Sequence, residues 1–243
     1  MKKISSAGLA KILSGRIDFV LERYVLTEKE LCVKPVYKFI EAEVRDQTIP
    51  EFCLIYAEAD DKEEIYASVN SDKFDGILRK YKIRSFTFHG GRGAGEPCES
   101  FYFGGKSAGI SSENCKLLTG ADKNIEKSCK EDDYLSVIFH DFIEKKIYRD
   151  CGIVAVYDKY NAFAGYLAYY EIAENIRDVS YIYVKENCRG KGYGKALLSF
   201  FIDKNIKEKK ISYYSRAENE ISKNLALSLG FMPCAKRTEE SVV

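Results

Sequence analysis

The chain has 243 residues, 38 of them basic and 37 acidic, for a formal net charge of +1. Hydrophobic residues make up 46% and charged residues 31%, the balance of a globular protein with one large domain or two small ones. The even charge balance excludes a nucleic-acid-attracting or membrane-attracting field over the whole surface.

Residues 1–14 carry lysines but no long apolar core, so no signal peptide is expected. No apolar run is long enough to cross a bilayer, and the expected compartment is the cytoplasm. Leu9, Ile12, Leu13, Ile17, Val20 and Leu21 share one helical face, which predicts a helix over 9–25. Residues 31–45 read as a second mixed segment, helical after Pro35. In 52–58, Cys53, Ile55 and Ala57 alternate with Leu54 and Tyr56, a strand pattern. Residues 64–81 read as a helix around Phe74, Ile77 and Leu78. Short strands follow at 84–89 and 100–103, with a glycine-rich loop at 89–96 between them. The small residues of 104–112 suggest a domain boundary. The expected domains are 1–110, an accessory α/β domain placed to shape an acceptor site, and 111–243. No repeat is evident.

The second half begins with a strand at 115–118, followed by a polar amphipathic helical region reaching about residue 146. Strands are expected at 152–157, 163–171 and 179–184. A helix from Tyr193 to Lys209 carries Ala196, Leu197, Phe200 and Phe201 as its apolar stripe. A fourth strand at 211–215 precedes a helix over 220–229, where Ile221, Leu225 and Leu229 recur at i, i+4 and i+8. Gly230 suits the left-handed residue that ends such a helix. The order β-α-β-β-β-α-β-α is that of a mixed α/β (α+β) domain.

The stretch Arg189, Gly190, Lys191, Gly192, Tyr193, Gly194, Lys195 lies between a predicted strand and a predicted helix. Three glycines there expose backbone N–H groups where the helix dipole is positive, and three cations add full charges. That combination is a socket for a phosphate or diphosphate.

Other signals are weaker. Eight cysteines are scattered with no C-x-x-C pair, and His89 and His140 are the only histidines, so neither a metal site nor a redox dithiol is expected. Gly104, Gly105, Lys106 and Ser107 end like a P-loop, but Ser100 stands where its first glycine belongs. The 89–95 loop suits a hairpin, an anion site or a lid, and a nucleotide-binding protein built on it is a third reading of the chain. His140 reads as a satisfied helix residue, and Cys188 as a structural thiol.

A second signature follows the socket at a fixed distance: Asn219, Glu220, Ile221 and Ser222, then Leu225 and Ala226, then Leu229, Gly230 and Phe231. Together with Ile182, Tyr183, Val184 and the stretch from Arg189 to Lys195, it resembles the GNAT superfamily of acyl-CoA-dependent N-acyltransferases. The resemblance covers the chain from Asn114 onward. Its spelling is most similar to a bacterial two-domain branch that includes zwittermicin-resistance-type acetyltransferases.

The resemblance implies an acetyl-CoA donor, no metal, and a V-shaped opening between two strands. The pantetheine arm would lie along the strand at Ile182, Tyr183 and Val184. The diphosphate would meet Arg189, Gly190, Lys191, Gly192, Tyr193, Gly194 and Lys195. Asn219 and Ser222 would flank the pantetheine and adenosine side. An amine would attack the thioester directly, helped by a carboxylate base, with backbone N–H groups near Ile182 to Val184 stabilising the oxyanion.

Asp178 is the first candidate base, because its parity matches Ile182 and Val184. A strand bulge would break that parity. Glu171 is the second candidate, with a solvated loop residue as its alternative. The family's acid tyrosine is replaced by Ala226, leaving Tyr213, Tyr214, a tyrosine of the first half, or solvent to protonate the thiolate. The expected acceptor is a small-molecule primary amine. A non-catalytic acyl-CoA-binding or sensing module is the alternative, and a homodimer is open.

Overall fold

β-branched and aromatic residues at alternating positions form most strands of the computed structural model. It describes residues 2–13, 25–26, 37–44, 51–58, 65–70, 72–83, 85–89, 96–103, 114–119, 133–173, 175–207, 209–216 and 218–241. They belong to two compact units that interleave in sequence. The first comprises Met1–Phe101, Ser215–Glu220 and Pro233–Val243, and the second Tyr102–Tyr214 and Ile221–Met232.

In the first unit, β1 (Lys2–Ile4) leads to α1 (Ser6–Leu13), then β2 (Tyr37–Val44), β3 (Phe52–Glu58) and β4 (Ile65–Val69). A 3-10 turn, Asp72–Phe74, opens α2 (Asp75–Lys80), and β5 (Ser85–His89) and β6 (Glu96–Phe103) follow. β1 through β4 pair antiparallel in succession, while β5 runs parallel to β4. The chain's last strand, β12 (Phe231–Ser241), adds antiparallel to β5 through residues 237–241. β3 is buried on both faces, as its alternation requires. Phe52, Leu54 and Tyr56 pack with Leu9 and Leu13 of α1. Cys53 and Ile55 pack with Phe74, Ile77 and Leu78 on the other side.

The second unit has β7 (Cys115–Leu117), α3 (Asp133–Phe139) continued by a π turn at His140–Glu144, β8 (Gly152–Tyr157) and β9 (Phe163–Ala173). β10 (Ile176–Val184), α4 (Tyr193–Asn205), β11 (Lys210–Arg216) and α5 (Glu220–Ser228) complete it. β7 to β10 are antiparallel in succession and β11 is parallel to β10. One face of the sheet packs Tyr166 and Ala168 against Leu135, Ile138 and Phe142. The other meets α4, where Tyr169 and Phe201 have ring centroids 4.8 Å apart.

The two units therefore repeat one plan: three antiparallel pairings, then a helix crossing to a parallel strand. This corrects the expectation of no repeat, because the duplication lies in strand order and not in residue identity. Three further readings are corrected. Residues 37–44 form a strand: Ala42 and Val44 share one face with Phe39, which a bulge between Phe39 and Glu41 brings onto it, and Glu41 and Glu43 take the other. Residues 65–69 are a strand, and the helix there is confined to 75–80. The strand expected at 100–103 begins at Glu96, and the terminal strand at 231–241 was not foreseen.

Residues 90–95 of the loop expected at 89–96, the loop expected at 104–112, and residues 14–24 of the helix expected at 9–25 lie outside the described residues. Among the described residues no helix is long and apolar enough to cross a membrane, and no group of three acidic, histidine or cysteine side chains is placed to hold a metal. Cys53, Cys115 and Cys188 are buried thiols, and burial pushes the Cys53 thiol up to about 12.

Candidate functional site

The socket is built where β10 ends. A 3-10 turn, Glu186–Cys188, buries Cys188 and hands the chain to Arg189. Gly190 and Gly192 have φ of +74° and +85°, a region in which an L side chain is strained. Gly192 is the N-cap of α4, no side chain caps it, and the first turn holds no acidic residue. The Ala196 amide donates to the Gly192 carbonyl at 3.0 Å. The amides of Tyr193, Gly194 and Lys195 precede that bond and point out of the helix end.

Among the described residues, a methyl group added at Gly190 or Gly192 would meet nothing within 4 Å, so the turn leading into these amides is open at both glycines. Two cations flank the turn. Arg189 donates from Nε to the Val184 carbonyl at 3.2 Å, with its side chain mostly exposed. Lys191 Nζ donates to the Asn187 carbonyl at 2.7 Å. Uncapped amides, a positive helix end and two anchored cations fit a diphosphate.

The opening next to the socket comes from strand divergence. β10 and β11 pair in parallel only from Ile176 with Lys210 to Val179 with Tyr213. Beyond that register, Tyr181, Ile182, Tyr183 and Val184 pair with β9 alone among the described strands. Gly165 makes the far end of that pairing possible: a Cβ there would sit 2.4 Å from the Tyr183 carbonyl oxygen.

A bulge corrects the face assigned to Asp178. Val179 pairs with Tyr169, but Tyr181 pairs with Ala168, so Ser180 is the extra residue. Asp178, opposite Tyr170, therefore shares a face with Tyr181 and Tyr183, not with Ile182 and Val184. Ile182 and Val184 face α4, where Val184 Cγ2 approaches the Gly194 position. Asp178 is 8% exposed and accepts a hydrogen bond from Ser212 Oγ of β11. This pair bridges the two strands one register before they part. Ser212 was not singled out from sequence, because it is defined by the register of strands 34 residues apart.

Glu171 sits elsewhere. It lies at the β9–β10 hairpin, where Oε1 accepts from the Asn175 amide at 3.0 Å and Oε2 from Lys209 Nζ at 3.1 Å. Arg177 and Asp150 form an ion pair in the same group. Both Glu171 oxygens are engaged and the residue is 5% exposed, which suits clamping a hairpin.

Tyr213 reaches from β11 to α5, its hydroxyl 2.6 Å from Ser222 Oγ. Its ring lies edge-on to Phe231, centroids 5.7 Å apart. Burial pushes the phenol above its ordinary range, and the Asp178 charge adds to the effect. Ala226, one turn after Ser222, is fully buried. Asn219 immediately precedes α5 and its amide closes a turn on the Arg216 carbonyl at 3.0 Å. His140 pairs with Glu144 at 2.6 Å on the exposed side of the π turn, as a satisfied residue would.

Comparison with known proteins gives the same outline. Residues 123–231 match the acetyltransferase (GNAT) family. No curated protein matches the chain. A tandem GNAT protein from the clavulanic acid biosynthesis pathway has a similar structure, with a TM-score of 0.55 at 11% identity, over 98% of this chain and 96% of that one. A GCN5-related N-acetyltransferase from Sphaerobacter thermophilus gives 0.56 at 11% identity over 98% and 93%. An acetyltransferase of the GNAT family from Novosphingobium aromaticivorans, described as putative, gives 0.51 at 14% over 93% and 100%. These likenesses concern fold, and they extend over both units: the duplicated strand order is a tandem GNAT-like layout.

Proposed function

We propose, for a chain whose residues 123–231 match the GNAT acetyltransferase family, that it transfers an acetyl group from acetyl-CoA to a primary amine of a small molecule. The observation that carries this reading is the juxtaposition of an uncapped, glycine-lined helix terminus with strands that part next to a buried carboxylate. The amides from Tyr193 to Lys195, with Arg189 and Lys191, would bind the diphosphate. The pantetheine arm would add along Ile182 to Val184, where β11 has left.

Transfer is direct. The amine nitrogen bonds to the thioester carbonyl carbon and the C–S bond breaks. The proton lost by nitrogen passes to Asp178, itself or through a water. The CoA thiolate takes a proton from the Tyr213 hydroxyl, a phenol that carries its proton at neutral pH. Glu171 is engaged at the hairpin and has no part in these steps.

The equivalent strand-to-helix turn of the first unit lacks this chemistry. It reads Asn70, Ser71, Asp72, Lys73, Phe74, Asp75, Gly76: aligned on the helix N-caps, Asp72 and Phe74 replace Gly190 and Gly192, and only the place of Gly194 keeps a glycine. Asn70 is tied back to Phe52 by hydrogen bonds of 2.7 and 3.3 Å. Phe74 is fully buried and the helix has six residues. One CoA site per chain is therefore expected. Titration calorimetry with CoA should give a stoichiometry near one, and a value near two would reject the assignment. Free-thiol release from acetyl-CoA with an amine panel then tests catalysis. CoA binding without release for any amine would favour the sensing reading, which the alanine at position 226 suggests.

Tyr213→Phe removes the phenol proton but keeps the ring against Phe231. It should lower kcat about 10- to 100-fold, with CoA affinity within about twofold of the parent. An unchanged kcat would leave protonation of the thiolate to solvent.

A further inference from the structure

We propose, on the basis of the acetyltransferase reading above, that the acceptor carries its amine on a planar aromatic body and is received by a wall of tyrosines beside Asp178. The donor would occupy the α4 side of the opening, since the socket belongs to α4 and Ile182 and Val184 face that helix. The bulge at Ser180 turns Asp178 to the opposite side. An amine that meets both the thioester and Asp178 must therefore approach from the α3 side.

What lies along that side is aromatic. Tyr181 occupies the position after Asp178 on this face, and Tyr183 the next. Tyr134 of α3 has its ring centroid 4.6 Å from that of Tyr181. Tyr166 lies 5.8 Å from Tyr181 and 5.7 Å from Tyr183. The wall is reachable: Tyr134 is 53% exposed, and Tyr181 and Tyr183 are half-buried. Val137, one turn along α3, is also exposed and lies beside Tyr134 at i+3.

Such a surface takes a planar ring in offset or edge-on contact, and its faces also attract an ammonium group. The charge pattern decides between acceptors. A carboxylate stands at one end. Toward the other end, Lys185 Nζ lies 5.4 Å from the ring centre of Phe163, which stacks on Tyr166 at 6.4 Å. A polyamine laid along the wall would bring a second ammonium toward Lys185. A single amine on an aromatic body would not.

The test is free-thiol release at saturating acetyl-CoA with 2-phenylethylamine, 2-cyclohexylethylamine and spermidine. The aromatic amine should have a kcat/KM about tenfold or more above each of the others. Tyr134→Ala, at an exposed position that the fold tolerates, should raise KM for 2-phenylethylamine about 5- to 10-fold. It should change KM for the cyclohexyl analogue by less than about twofold and leave CoA affinity unaltered. Equal or better use of spermidine or the cyclohexyl amine, or an unchanged ratio in the variant, would overturn the aromatic assignment alone. Absence of thiol release with every amine would overturn the acetyltransferase reading together with it.

Discussion

Gly192→Glu should weaken CoA binding at least about 100-fold while the protein stays folded. Three effects act together. A φ of +85° is unfavourable for any L residue, by about 1–2 kcal/mol. The new side chain leaves from the turn that leads into the Tyr193, Gly194 and Lys195 amides, where a Cβ meets nothing within 4 Å among the described residues. Its carboxylate is also an anion at a positive helix end, so it satisfies the donors that the diphosphate needs. The last effect partly offsets the strain, which is why stability should change by only a few degrees in Tm.

Gly192→Ala separates the contributions. It carries the strain without the charge, so its loss of affinity should be several-fold and not a hundredfold. Calorimetry with CoA and thermal unfolding of all three proteins make the comparison. Parental affinity in the glutamate variant would remove the diphosphate assignment from this loop.

The glycine turn to which the donor is assigned is legible because it is local. A glycine-rich turn between a strand and a helix requires residues that are neighbours in sequence, and Gly190 and Gly192 take the positive φ values this reading needs. The acceptor half is non-local. Ser212 reaches Asp178 from another strand, and Ser222 meets Tyr213 from a helix. Alternation alone put Asp178 on the face of Ile182, and a single inserted residue, Ser180, reversed it.

The first unit was misread at 37–44 and 64–69 for a related reason. In 37–44 a bulge between Phe39 and Glu41 puts Phe39 on the face of Ala42 and Val44, so the strand keeps no strict two-residue period in sequence. The repeat of the two units escaped because strand order, unlike a glycine turn, leaves no fixed spelling. The turn that would have announced it, aligned on the helix N-caps, carries Asp72 and Phe74 in place of Gly190 and Gly192.

Asp178→Asn should lower kcat about 10²- to 10⁴-fold, the range that a lost general base commands, with CoA affinity unchanged within about twofold. The substitution is gentle on the structure. The carboxamide oxygen it introduces can still accept from Ser212 Oγ, so the bridge between β10 and β11 survives, and no buried charge is left without its counterpart. What is lost is the ability to take a proton from the attacking amine. The pH–rate profile distinguishes the role. If Asp178 is the base, the variant should show activity rising with pH wherever hydroxide or the free amine fraction takes over, without the acidic limb of the parent. Ser212→Ala gives the complementary result: it leaves the carboxylate but removes a donor to its charged form, which raises the carboxyl's pKa, so the acidic limb should move to higher pH with a smaller loss in kcat. A parental profile in both variants would assign the buried pair to holding the strands together at the point where they part, and would remove Asp178 as the base.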